Sequence, residues 1–543
     1  MFVKDYIKVV RKEFRGYNAG RFGKDLLAGI TVAAVALPLA LAFGVSSGAS
    51  AAAGIVTAII SGIFIGGLSG ASYQISGPTG AMTAILVSLV AQHGLQGVFT
   101  ASFIAGVILL LCGLFKLGGL VSYLPMPVIT GFTSGIAVII ALGQINNLTG
   151  LKSSGLETVE KLISYFNTPQ TIDTTGLIIG LSVIIFMFLY PKKLTKYCPA
   201  SLIAIVGATA ANIIFKLDVT AVGAIPQTLF LNERLDLSNL NWDTMSSMIT
   251  PAISIAALGL IESLLCGASA GRMKNEKLSA DVELVAQGIG NIALPFFGGV
   301  PATAAIARTS VAIKSGGQTR LTSIVHSLVL LLSMFALGGV MSQIPLSALA
   351  GVLIVTAWRM NEWHIIKSIF RKKIKTAMLQ FLITMLATVV FDLTIAILIG
   401  VAFSLIAFII KVSDMQVSVA EVDTTKLDSE KISPNKLRNT CVVYISGPLY
   451  FGTCSKLEEK ISALGDNYKV IFSMRGVTIA DISGIEALRD YCEQLVQSGR
   501  MVYFSCVQPN VEQMMERCGF KDRFKYKMYF WSTDKVFEHI SSL

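Results

Sequence analysis

The chain has 543 residues, of which 53% are hydrophobic and only 14% charged. A soluble globular protein carries about 25% charged residues, so the composition excludes an ordinary soluble enzyme over most of the length and indicates a polytopic membrane protein. The net charge of +11 lies largely in basic clusters beside apolar segments, so it calls for no nucleic-acid partner.

In chain order, residues 1–25 form a basic cytoplasmic N-terminal segment. It carries Lys4, Lys8, Arg11, Lys12, Arg15, Arg21 and Lys24 and reads as an anchor, not a removable signal. From 26 to 411 charge is thin. Hydropathy and breakers divide this transmembrane transport domain into fourteen segments near 28–45, 51–68, 79–92, 97–115, 126–145, 175–190, 199–216, 250–271, 284–297, 303–314, 321–340, 344–358, 376–392 and 394–411.

Charge tests that map. With the N-terminus inside, the clusters at Lys116, Lys192–Lys193–Lys196, Arg272–Lys277, Lys314–Arg320 and Arg359–Lys375 all fall on the cytoplasmic side. Counting Lys411 and the N-terminal segment, 23 Lys/Arg fall inside; four (Lys152, Lys161, Lys216, Arg234) fall outside. The positive-inside rule therefore expects an even number of spans and two cytoplasmic termini in the cytoplasmic (inner) membrane. Fourteen divides into seven plus seven, and an odd number per half inverts the second repeat.

The third and tenth segments are short and occupy corresponding places in the two halves. Each follows a proline: Ser76-Gly77-Pro78-Thr79-Gly80-Ala81 and Gly299-Val300-Pro301-Ala302-Thr303-Ala304. A helix from Thr303 to Ile313 would rise roughly 16 Å, against roughly 30 Å of hydrocarbon. Half-helices starting at mid-membrane aim free N–H groups and a positive dipole end at the bilayer centre, which suits a desolvated anion. Such a pair marks the substrate site of a secondary transporter. Thr79, Gly80, Ala304 and Ala305 are then expected to line the gap, their small size letting N–H groups approach a ligand.

Two charges lie at depth. Glu262, near the middle of the eighth segment, has no basic neighbour in sequence, and a carboxylate there costs about 2.5–3.5 kcal/mol on insertion scales. It either hydrogen-bonds helix neighbours to hold two spans together, or faces the site and carries a proton or binds a cation. Arg308, about one and a half turns into the tenth segment, must face a cavity or a partner. It either forms a structural ion pair, with Glu262 as a candidate partner, or attracts the anion. Cys266, one turn after Glu262, can share its face.

The eight cysteines show neither metal spacing nor a paired framework, and the four histidines form no metal pair. With no nucleophile constellation, phosphate loop or redox motif, no cofactor, metal or enzymatic activity is expected. Residues 412–543 change character. Strands at 440–446, 468–474 and 501–506 alternate with helices at 453–464, 483–498 and 509–518, and 423–438 reads as a loop. That alternation implies a small cytoplasmic α/β domain.

The chain resembles the SulP/SLC26 family of anion transporters. The resemblance rests on Ala28-Gly29-Ile30-Thr31-Val32-Ala33 through Gly44, Ser76–Gly80, Glu283-Leu284-Val285-Ala286-Gln287-Gly288-Ile289-Gly290-Asn291 with Gly298-Gly299, and Ile344-Pro345-Leu346 with Leu349–Val352, in that order. The tail resembles the STAS domain, with Asp481-Ile482-Ser483-Gly484 matching its turn. The resemblance implies two inverted seven-helix repeats split into core and gate, elevator-like alternating access and a homodimer in membrane lipid. It implies a small anion substrate of the sulfate, bicarbonate or dicarboxylate class. An acidic residue at the place of Glu262 is associated with ion coupling in that family, glutamate with protons and aspartate with sodium. Proton symport is the expectation; an uncoupled channel or exchanger, or a sodium-coupled bicarbonate transporter, is the alternative. A cysteine at 266, where the family often has a hydroxyl, weakens a sodium site. Arginine at the place of Arg308 occurs in animal members and is missing from some bacterial ones. Ser483 stands where related anti-sigma antagonists accept a phosphate, but reads better as a helix N-cap. A cytosolic partner of the tail is a further expectation.

Overall fold

The computed structural model of the chain describes residues 2–119, 125–153, 158–167, 171–191, 194, 199–236, 238, 242–391, 393–412, 415–423, 432–462, 464, 468–524 and 528–543. The basic cluster Lys192–Lys193–Lys196, Cys198 and part of the loop after Asp423 lie outside these residues. The chain forms two compact units, Met1–Phe403 and Ser404–Leu543.

In the first unit the order is α1 (Phe2–Glu13), α2 (Ala19–Ser46), α3 (Ala51–Leu68), β1 (Ser76–Gly77), α4 (Gly80–Leu114), α5 (Met126–Gly143), α6 (Ile145–Thr149), α7 (Thr158–Asn167), α8 (Thr174–Leu189) and α9 (Ala200–Phe215). Then come α10 (Trp242–Ser247), α11 (Ile249–Lys274), α12 (Ala280–Ala293), β2 (Thr303–Ala304), α13 (Ile306–Lys314), α14 (Leu321–Met341), α15 (Leu346–Met360), α16 (Trp363–Arg371), α17 (Lys375–Val390) and α18 (Leu393–Val412).

Each of the fourteen expected segments has its helix. The third and fourth follow one another within α4 through Gly94, whose φ of 65° and ψ of −172° turn the chain, a conformation glycine adopts without a Cβ penalty. Helix starts are set by short polar side chains: Asn18 accepts from the Arg21 amide, Ser50 from Ala53 and Asp173 from Gly176. The five helices not expected, α1, α6, α7, α10 and α16, are short and lie on the N-terminal segment or on connections.

The spans sort into two groups. Helices α2, α3, α4, α11, α12, α13 and α14 pack together, as do α5, α8, α9, α15 and α17 with α18 beside them. Both repeats thus give their first four segments to one group and their last three to the other, the core-and-gate division of a seven-plus-seven fold. Lipid is as apolar as leucine, so helices associate by close packing of small residues. A Cβ built at Gly54 would stand 1.9 Å from the Ala40 carbonyl oxygen, joining α3 to α2; one at Gly288 would stand 2.5 Å from the Leu110 amide, joining α12 to α4. In the second group Gly131 meets the Phe381 carbonyl and Gly351 the Gly180 carbonyl. Exposed apolar side chains such as Leu189, Phe215, Leu332 and Ile410 form the surface that faces hydrocarbon.

The second unit is a five-stranded sheet ordered β3 (Gln416–Glu421), β4 (Thr440–Ser446), β5 (Lys469–Gly476), β6 (Met501–Ser505), β7 (Tyr529–Phe530). Strand β3 is antiparallel to β4; the other pairs are parallel, with Cys441 opposite Val470 and Val470 opposite Val502. Helices α19 (Cys454–Ser462), α20 (Ile482–Gln497), α21 (Pro509–Arg517), α22 (Phe520–Arg523) and α23 (Thr533–Ser542) complete it. The six expected elements are present within one to two residues at each end. Strands β3 and β7 and helices α22 and α23 were not expected: β7 and α22 have two and four residues, and β3, although Val417 and Val419 alternate with polar residues, is mostly exposed and follows directly on the last span. The N-cap of α20 is Asp481, whose carboxylate accepts from the Gly484 amide at 2.7 Å; Ser483 lies inside the first turn, exposed, and is not the cap.

Candidate functional site

The two interrupted segments meet. Strand β1 pairs antiparallel with β2, Ser76 opposite Ala304 and Gly77 opposite Thr303, and the Ala305 amide donates to the Ile75 carbonyl at 2.9 Å. This pairing changes one expectation: Thr303 and Ala304 are extended, and the tenth helix begins at Ile306. Arg308 is therefore the third residue of α13, in its first turn.

Irregular backbone at membrane depth must find its hydrogen bonds inside the protein. One polar stripe on α12 supplies many of them. Asn291 accepts from the Ala302 amide at 2.9 Å and donates to the Ala302 carbonyl at 3.0 Å. Gln287 Nε2 donates to Ser76 Oγ and to Glu283 Oε1. Glu283 Oε2 accepts from Ser69 Oγ and the Gly70 amide. On α3, Thr57 Oγ1 accepts from the Val300 amide at 2.8 Å. Glu283, Gln287 and Asn291 stand at i, i+4 and i+8, one helix face.

Glu262 on α11 ties both segments together. Its Oε2 accepts from Thr79 Oγ1 at 2.9 Å, on the third segment, and from Thr303 Oγ1 at 2.7 Å, on the tenth. Oε1 takes no partner among the described residues, and the side chain is only partly buried. Beside it, Ser263 Oγ accepts from the Ala304 amide and the Ser263 carbonyl accepts from Gln74 Nε2. Cys266 does share this face, its Sγ donating to Thr309 Oγ1 at 3.4 Å. One oxygen of Glu262 thus holds the two segments together, and the other has no partner among the described residues.

Arg308 is 1% exposed. Its Nη2 donates to the Pro78 carbonyl at 2.8 Å, across the strand pair, while Nη1 is buried without a partner among the described residues. A Cβ at Gly77 would stand 2.2 Å from Nη1, so only glycine leaves the guanidinium its place. Arg308 and Glu262 form no ion pair within 4 Å: the positive group lies against the third segment's proline and the carboxylate against its threonine.

Thr79 caps α4, and the Gly80 and Ala81 amides have no partner among the described residues; nor have the Ile306, Ala307 and Arg308 amides at the start of α13. Ala305 is the N-cap of α13 and partly buried. Ala304 is fully buried, its amide already used by Ser263. Gly80 faces α5: a Cβ there would stand 2.2 Å from Ile140 Cδ1. Sequence reasoning named Thr79, Gly80, Ala304, Ala305, Arg308 and Glu262, which the structure gathers at one junction. It missed Thr303, Ser263, Thr309 and the α12 stripe, of which the i, i+4, i+8 spacing on an apolar helix was the readable signal. Ser483 belongs to the other unit.

Residues 22–387 match the sulfate permease family, and residues 431–541 match the STAS domain. The Bacillus subtilis (strain 168) protein YvdB is 33% identical over 536 residues, 96% of this chain and 98% of its own length. The solved transmembrane domain of a cyanobacterium bicarbonate transporter, BicA, is 32% identical, with a TM-score of 0.66 over 70% of this chain and 98% of that one. An inward-facing structure of the murine Solute Carrier 26 family member A9 anion transporter is 19% identical, with a TM-score of 0.83 over 96% of this chain and 91% of that one, a likeness of fold. With the paired interrupted segments, these matches establish that the chain belongs to the sulfate permease family of anion transporters and ends in a STAS domain.

Proposed function

We propose that the chain carries a small anion of the sulfate, bicarbonate or dicarboxylate class across the cytoplasmic membrane by secondary active transport coupled to protons. The observation that carries this reading is the junction itself. Two helix N-termini whose N–H groups have no partner among the described residues meet at a buried guanidinium with an N–H unused there, beside a carboxylate with one oxygen unused there. The anion binds at Thr79, Gly80, Ala305 and Arg308, with Ala304 behind them; the donors are fixed in a dry site, where electrostatic attraction is strongest. Glu262 takes a proton on Oε1 while Oε2 keeps both threonines, so proton uptake need not dismantle the site. The family name supports sulfate, and the name of BicA supports bicarbonate.

Alternating access is elevator-like: the core group, which holds the whole site, moves against the gate group. We read residues 26–411 as the transport domain, 1–25 as its cytoplasmic lead-in and 412–543 as a cytoplasmic regulatory domain, with the chain acting as a homodimer. The test is uptake of labelled sulfate, bicarbonate and fumarate into proteoliposomes under imposed proton or sodium gradients. Glu262→Gln keeps both threonine bonds through its amide oxygen but cannot titrate; it should abolish proton-driven accumulation and leave anion binding measurable. Undiminished proton-driven uptake by this variant would remove Glu262 from coupling.

A further inference from the structure

A cavity of about 550 Å3 lies among α2, the first half of α4, and α11 on one side and α5, α7 and α17 on the other. Its rim includes Ser46, Asn146 and Phe391, all at helix ends opposite the basic clusters, so it faces outward by the charge map. The candidate site residues do not line it, but three lining residues stand next to them or on their helices. Thr83 lines it, and Thr83 Oγ1 donates to the Thr79 carbonyl at 3.0 Å. Ser254 lines it too, eight residues before Glu262 on α11, or about 12 Å by helical rise. So does Ile140, the side chain that abuts Gly80.

Among the described residues the lining holds apolar side chains, hydroxyls, amides and one charged residue, Lys161 of α7, and no carboxylate. Lys161 is half-buried, and its ammonium has no ion-pair partner among the described residues. The neighbouring Glu160 is exposed and does not line the cavity. Helix α7 is held in place by Tyr165, whose hydroxyl donates to Asn146 Oδ1 at 2.5 Å, and Asn146 in turn donates to Ser153 Oγ. Burial pushes the Lys161 ammonium below its ordinary range, the sign of a cation short of hydration and of a counter-charge.

We propose that Lys161 is an outer capture site for the transported anion, drawing it into this cavity before it reaches Thr79 and Arg308. This rests on the anion-transport reading above. A cavity walled by low-dielectric protein, whose one charge among the described residues is positive and without an ion-pair partner there, concentrates anions and speeds their arrival. Lys161 lies on a connection, not on the segments that hold the site, so it acts on capture and not on the coupled step.

The test is initial-rate transport in proteoliposomes of known orientation, using whichever of labelled sulfate, bicarbonate or fumarate the parent carries. Lys161→Gln should raise the apparent KM for anion presented at the outer face about three- to tenfold at low salt, the effect of one nearby charge in a partly wet site. Vmax should stay within about twofold, and added salt should shrink the difference as the charge is screened. Lys161→Arg should retain the parental outer KM, and neither variant should alter the KM for anion presented at the inner face. An unchanged outer KM in Lys161→Gln overturns the proposal. So does an equal loss in Lys161→Gln and Lys161→Arg, or a matching change at the inner face, since each marks a structural role. A parent that carries none of these anions would instead sink the transport reading, before any variant is compared.

Discussion

Gly80 stands against Ile140 Cδ1 and Phe43 Cε1, which a built Cβ would approach to 2.2 and 3.1 Å. Ile140 belongs to α5, in the group opposite to α4, so bulk here wedges the two groups at the mouth of the site. Gly80→Val should stop transport while leaving expression near parental, and adding Ile140→Ala should restore part of the rate. A Gly80→Val protein that transports normally would show that this contact does not move in the cycle. Arg308 makes a different prediction. Losing a charge-assisted hydrogen bond costs about 1.5–3 kcal/mol, more than tenfold in affinity. Arg308→Ala should raise the apparent KM by at least that factor. Lysine, a point charge without the planar fork, should restore little. Gly77→Ala should push Nη1 aside, since the built Cβ stands 2.2 Å from it, and mimic Arg308→Ala in part. Parental kinetics in both Arg308→Ala and Gly77→Ala would take Arg308 out of anion binding.

Among elements, the N-terminal helix α1 does more than its basic sequence announced. Glu13, at its end, accepts from Arg320 Nε and Nη2 at 2.9 and 2.7 Å, and both side chains are nearly inaccessible. Arg320 Nη1 donates to the Gly67 carbonyl, which also accepts from Tyr6, and the guanidinium lies 5.1 Å from the Tyr6 ring centre. Asp25 does similar work at the start of α2, accepting from the Gln318 and Thr319 amides, the Thr319 and Thr322 hydroxyls and Tyr17. Together they pin α1, α2 and α3 to the connection between the half-helix α13 and α14, so the base of the tenth segment is fixed. Removing one partner of a buried ion pair costs about 3–5 kcal/mol, because the other charge is left bare. Glu13→Ala should lower the unfolding temperature in detergent markedly, and Glu13→Met with Arg320→Leu should recover much of that loss. A Glu13→Ala melt equal to the parent's would mean that α1 is not held by this pair.

For the whole molecule, the orientation we propose, on which the outer cavity depends, rests on the split of 23 against four basic residues between the two sides. Asn167→Cys, on the connection after α6, should react with an impermeant thiol reagent added outside intact cells, in a background where other reactive cysteines are replaced. Labelling only after permeabilisation would invert the map and turn the cavity to the cytoplasm. The same count shows why so much of the fold was legible. Hydropathy and positive charge act segment by segment, and each of the fourteen segments announces itself without reference to the others. The second unit was legible where its strands are buried, as β4 and β5 are, and silent where a strand is exposed or two residues long, as β3 and β7 are.

The sequence by itself determined the number of spans, the two prolines that break them, and the presence of one acid and one guanidinium at depth. It could do so because transfer into a bilayer is a local and nearly additive cost. Only the tertiary structure decided what meets what. Thr79 and Glu262 are 183 residues apart and Arg308 and Pro78 are 230 apart, and no local pattern encodes which oxygen answers which hydroxyl. That choice follows from the need to satisfy every buried polar group of two broken segments at once. It moved the start of the tenth helix to Ile306, separated Arg308 from Glu262, and gave Glu262 two threonines to hold instead of a charge to neutralise.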